Sequence, residues 1–204
     1  MALTLKELQS QIDELRVKIE VLANNSKSAL IIKKNLGIGD TFELLNLTWK
    51  ILDITDKGYV CLAGKLEDSM EFDSSSNDWK SSDLREYLNN EFYDELAEAI
   101  GADNIIPFER DLLSMDGLTD YGTCEDKVSI LNVDEYRKYR QLIPNTDNYW
   151  WWTLTADSCK SNNNNRWLRV VSSSGDFNID YYDVNCGVRP FCILKSNIFV
   201  SKGE

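Results

Sequence analysis

Three consecutive tryptophans, Trp150 to Trp152, constrain this 204-residue chain more than any other feature. Indoles are the largest rigid side chains, and a run of them needs a dense interior to lie in. They open a stretch from Asn148 to Leu194 that closes on the apolar run GVRPFCIL. Between these two ends lie mostly Asn, Ser, Asp and Tyr. Four of the six tryptophans, at 150, 151, 152 and 167, fall in this stretch. Its patterning predicts strands over 150–154, 167–171, 177–181 and 188–194, with a turn at 172–175. Aromatics this dense point first to core and cross-strand packing.

Upstream, residues 3–22 place Leu5, Leu8, Ile12, Leu15, Ile19 and Leu22 at alternating steps of three and four, a coiled-coil seam. A lone helix of about 20 residues is marginal in water, so the seam needs a partner. That partner is either the chain's own body or other copies in a homo-oligomer. A linker over 26–36 follows, then one domain over 37–196 and a tail over 197–204. Strands are expected at 42–45, 48–54 and 59–63, with Trp49, Ile51 and Ile54 in the core. A helix over 83–100 carries Leu84, Leu88, Phe92, Leu96 and Ile100 on one face, capped by Ser82 or Asp83 with Glu86 completing a capping box. Residues 101–131 read as loop with a short strand at 128–131. Asn132 and Glu135 then form a second capping box for a helix over 133–141.

Composition limits the chemistry. The formal charge is −12 without a basic cluster, which disfavours a nucleic-acid partner. Without histidine there is no Ser–His or Cys–His catalytic pair. Five scattered cysteines with no CxxC pair argue against a zinc site and a disulfide framework. No apolar run approaches a membrane span and no signal peptide is visible, so an integral membrane protein is not expected.

Two blocks carry a family resemblance. The first is Phe72, Asn77, Trp79, Ser82, Leu84, Arg85, Leu88, Asn89 and Phe92; the second joins the tryptophan run, the SSSGDF turn and Gly187-Val188-Arg189-Pro190. Together they resemble a bacterial and prophage family of domains ending in a G-V-R-P strand. That family is similar to the C-type-lectin-like fold of formylglycine-generating enzymes and of diversity-generating retroelement variable proteins. The resemblance implies an α+β, C-type-lectin-like domain of antiparallel sheets with two helices, preceded by the N-terminal coiled-coil helix.

It also implies a hypervariable surface framed by fixed residues. In such proteins variation replaces adenines, often in Asn codons, from which Asp, Tyr, Ser, Thr, Ile, Gly and Cys are reachable. Cys159, Ser161 and Tyr181 belong to that set. The expected ligand-contacting residues are Ser158, Lys160, Asn162, Asn163, Asn164, Asn165, Asn178, Asp180, Tyr182, Asp183 and Asn185, of which Lys160 alone falls outside the codon pattern. Tyr gives rigid contact area and Asn and Ser adaptable hydrogen bonds. If Phe177 and Ile179 point inward, Tyr181 follows them, while Asn178, Asp180 and Tyr182 point out. Arg189 is expected to pair with a buried carboxylate and Pro190 to sit on an edge or at a strand start.

The leading expectation is therefore a non-enzymatic binding protein of phage or prophage origin, set in a phage virion or a host cytoplasm. Its partner would be a protein or glycan on a cell surface, bound without cofactor or metal. The alternative is a structural or assembly protein of a phage particle with no diversified site. An enzyme related to the formylglycine group, using Cys186 or Cys192, is the third reading.

Overall fold

The strand alternation resolves into two principal sheets in a computed structural model that describes residues 36–199. The N-terminal seam and the last five residues lie outside the described residues. Strands β1 (Thr41–Leu44), β2 (Leu47–Ile54) and β3 (Tyr59–Ala63) form the expected meander. Strand β4 (Ser69–Met70) follows, then helices α1 (Asp83–Asn89) and α2 (Glu91–Ile100). Short strands β5 (Ile105–Ile106), β6 (Phe108–Asp111), β7 (Thr123–Asp126) and β8 (Val128–Ser129) precede helix α3 (Val133–Tyr139). The C-terminal part contributes β9 (Trp151–Ala156), β10 (Trp167–Val171), β11 (Phe177–Tyr181), β12 (Cys186–Gly187) and β13 (Phe191–Leu194). The fold is α+β, and among the described strands the one parallel pairing is β12 with β9.

The first sheet runs β1-β2-β3-β13-β5, with β8 also on β13; the second runs β11-β10-β9-β12-β4; β6 and β7 pair separately. Strand β13 thus returns from the end of the domain to the middle of the first sheet. Period-two alternation explains the tryptophan run. Trp152 joins a core with Trp49, Phe72, Trp79 and Leu88, while Trp151 turns to a second core with Tyr136, Val171 and Phe191. Trp150, ahead of the strand, remains 39% exposed.

Several expectations are corrected. The helix over 83–100 breaks at Asn90, whose φ of −115° and ψ of −87° leave helical geometry. Ser82 caps α1 by accepting from the Arg85 amide at 3.2 Å, whereas the Asp83 carboxylate accepts from the Ser74 amide instead. Residues 101–131 hold more than the expected loop and short strand, because β6 and β7 form a hairpin ahead of β8. The last strand, expected over 188–194, begins only at Phe191, after Pro190, which lacks an amide but accepts from the Ala63 amide at 2.8 Å. Ile54 is 45% exposed because a bulge between Ile51 and Asp53 shifts the strand's register. The Asn132–Glu135 capping box is present, with bonds of 2.7 and 2.8 Å.

Candidate ligand-binding face

The resemblance-bearing residues near the first helix are scaffold. Asn77 is fully buried; its side-chain amide donates to the Ser158 and Trp167 carbonyls at 2.9 and 2.8 Å. Its oxygen accepts from the Tyr121 hydroxyl at 2.6 Å. Trp79 donates from its indole nitrogen to Asp126 at 2.8 Å, and Arg85 bonds the same carboxylate at 2.6 Å. Asn89 ties α1 to β8 by donating to the Val128 carbonyl at 2.8 Å. Gly187 is required by close approach: a Cβ there would lie 2.8 Å from the Tyr149 ring. Among the described residues Arg189 meets no carboxylate. Its guanidinium donates to the Ala63 carbonyl at 3.1 Å and lies 5.1 Å from the centre of the Trp151 ring, and burial lowers its pKa.

One face of β9, β10 and β11 is covered at one end and open at the other. The covered end holds Trp151, Val171 and Phe177, with Tyr136 of α3 edge-on to Trp151 and Phe177 at 5.4 and 5.2 Å. Beyond the reach of α3, the cross-strand pairs are Arg169 with Ile179 and Trp167 with Tyr181. The last two rings stack with centroids 3.7 Å apart and planes at 27°. Tyr181 keeps the face of Phe177 and Ile179 as expected but is 40% exposed, whereas Tyr182 is half-buried against the first core, so the expected exposures are reversed. The reason is that α3 covers only the Phe177 end of this face. Arg169 is held by an ion pair with Asp157 on the same side of the hairpin.

The neighbouring segment 157–166 has a fixed backbone. Lys160–Asn162 form one 3₁₀ turn, ended by Asn163 in the left-handed region with φ of 52°, a conformation Asn tolerates. Asp120 accepts from the Ser161 amide at 3.2 Å, and the Asn77 amide donates to the Asn165 carbonyl at 3.0 Å. The Ser158 hydroxyl donates to Asp116 at 2.6 Å. Hydroxyls of Ser114 and Ser158 hold the Asp116 carboxyl below its usual range. The Tyr182 amide donates to the Arg166 carbonyl at 3.1 Å and joins this segment to the end of β11.

The expected contact residues therefore separate. Lys160, Asn162 and Asn163 are exposed on the turn, and Asn164 and Asn165 are half-buried beside it. Ser158 is buried and engaged with Asp116. Tyr182 and Asp183 line a shallow pocket of about 190 Å³ with Arg166 and Tyr181. Asn178 and Asp180 lie on β11, paired with Val170 and Leu168. Asn185 lies elsewhere, in an open cleft with Asp68, Met70 and Asp83. Sequence reasoning passed over Trp167 and Tyr181 as a pair, and over exposed Leu113 and Met115. The last two border a cleft of about 170 Å³ with Thr155, Asp134 and Arg137. Another cleft of about 440 Å³, between the β1–β2 turn and α2, includes none of the expected residues.

The cysteines are free, and Cys61, Cys159, Cys186 and Cys192 are buried. Burial, reinforced by Asp180, pushes the Cys186 thiol up to about 12, and burial raises Cys192 as well. Neither has the depressed pKa of an activated nucleophile. Among the described residues no cluster of three or more Cys, Asp or Glu is arranged to hold a metal ion.

A family model described as a domain of unknown function (DUF6273) matches residues 109–196. The matched region runs from β6 to the end of β13. It contains the open sheet face and the 157–166 segment, but not the Phe72–Phe92 block. No curated protein and no solved structure matches the chain.

Proposed function

We propose that this chain is a non-enzymatic ligand-binding protein of C-type-lectin-like fold, of phage or prophage origin. Its contact surface is the open sheet face at Trp167 and Tyr181 with the adjoining 160–166 segment. The observation that carries this reading is a stacked aromatic pair, exposed Tyr181 on half-buried Trp167, beside a loop whose backbone is fixed while its side chains remain available. Lys160 and Asn163 have no side-chain hydrogen bond or ion pair among the described residues. Such a loop can exchange side chains without changing its path, and a fixed path limits the entropy lost on binding. The return of β13 into the N-terminal sheet is compatible with the lectin-like architecture that the G-V-R-P ending evokes.

The diversified character of the surface is part of the proposal. It is tested by sequencing codons 77 and 150–194 of this gene across a natural population of its host or phage. Substitutions at adenines in codons 160–165 and 178–185, with Asn77, Trp152 and Gly187–Pro190 constant, are expected. Missense changes spread evenly over scaffold and loop would overturn diversification and leave a fixed surface, as a phage assembly protein would have.

A further inference from the structure

Strand β11 is the outer strand of the five-stranded sheet, and at five residues it offers a longer free edge than the two-residue β4 at the other side. A free edge presents unpaired amides and carbonyls to which another strand can add. In an antiparallel pair, alternate residues point their backbone groups toward and away from the neighbour. The Tyr182 amide bonds inward, to the Arg166 carbonyl. By alternation Asn178 and Asp180 also face β10, while Ile179 and Tyr181 turn their amides to the open side.

Those two outward amides are not left free. The Ile179 amide donates to the Asn178 side-chain oxygen at 2.9 Å, and the Tyr181 amide to the Asp180 carboxylate at 3.0 Å. The same contact recurs on β2. Past its pairing with β1, which ends at Lys50, the Ile54 amide donates to the Asp53 carboxylate at 2.9 Å. In each case a short polar side chain closes onto the next residue's amide on the side where, among the described residues, no strand pairs.

We infer that Asn178 and Asp180 are edge guards: their side chains occupy the outward amides of β11 and keep it from pairing with β11 of a second copy. This role stands independently of the ligand reading, because it rests on the strand's backbone and not on its aromatic face. It also limits which substitutions positions 178 and 180 can accept. Residues with a short side-chain acceptor preserve the guard, and Ala or Ile removes it.

The test compares the full chain with N178A/D180A and with the exchanged pair N178D/D180N, which keeps an acceptor oxygen at both positions. Light scattering over a concentration series reads assembly, and hydrogen exchange resolved at residues 179 and 181 reads the amides. Wild type and N178D/D180N are expected to share one mass at every concentration. N178A/D180A is expected to form larger assemblies as concentration rises, with several-fold faster exchange at both amides when dilute. A folded N178A/D180A with wild-type mass throughout and unchanged exchange would overturn the inference. Should the double variant fail to fold, N178A and D180A taken singly each open one amide and are read in the same way.

Discussion

Asn77 concentrates the structural reasoning at the scale of one residue. It lies 81 and 90 positions from the two carbonyls to which its amide donates, and it accepts from the Tyr121 hydroxyl. Asn77→Ala strips the Ser158 carbonyl and the Tyr121 hydroxyl of these bonds, while the Trp167 carbonyl keeps the Asp157 amide, and the change costs about 3 kcal/mol. A lowered urea midpoint with an unchanged slope would register that loss. Asp73 gives the acid side of the stability profile. It is 3% exposed, and burial alone would raise its pKa, but amides of Ser76, Asp83 and Ser75 and the Ser75 hydroxyl outweigh burial and lower it. A depressed folded pKa stabilises fully above the unfolded value of about 3.9 and is lost as pH falls through the lower folded value. Asp73→Asn should therefore be less stable than wild type at pH 6. The difference should shrink as the pH drops below about 4, measured by denaturant unfolding across that range.

At the scale of elements, local chemistry was legible and long-range pairing was not. The Asn132–Glu135 box and the β1–β3 meander follow from signals within a few residues, and both are present. The β6–β7 hairpin escaped notice because its strands, FERD and TCED, carry charges on consecutive positions that hide any period of two, and are joined by a long connection. The Trp167–Tyr181 pair could have been read from register: five residues separate Val171 from Phe177, and counting outward from that pair brings 167 opposite 181. What sequence could not give is which end of that face α3 would cover, since that depends on packing between distant elements. The 157–166 segment was recognisable as polar, but its anchors at Asp116 and Asp120 come from a connection some forty residues upstream. Asp116→Ala should speed hydrogen exchange of amides 159–164 several-fold while shifting the thermal midpoint by only a few degrees. Its carboxylate is exposed and its distant partners, Ser158 and Asn162, both belong to this segment, so the loop loses order before the domain loses stability. Unchanged exchange there would mean that the Asn77 and Asp120 contacts suffice.

At the scale of the whole molecule, the domain's order depends on β13, which pairs with β3, β5 and β8 and joins the last strand to the first sheet. The proposed contact surface sits on the other sheet, at its β10–β11 end, so neither sheet's central strands need move when a ligand docks. A shallow, polar face of this kind gives weak individual binding, and joining copies raises avidity by roughly 10²–10⁴ without new contacts. The apolar seam of residues 3–22 is the segment suited to that task, because about two and a half heptads of Leu and Ile make a stripe that water leaves unstable on a lone helix. Light scattering should return a multiple of 23.4 kDa for the full chain and a single-copy mass for a variant beginning at residue 26. The competing arrangement, with the seam packed on its own domain, gives the opposite pair of results: one copy in both proteins, and a lower thermal midpoint once the helix is removed. The two arrangements bury the same leucines, so only mass and stability measured together separate them. If copies do associate, the truncated protein keeps its thermal midpoint and loses only the avidity that repeated weak sites confer.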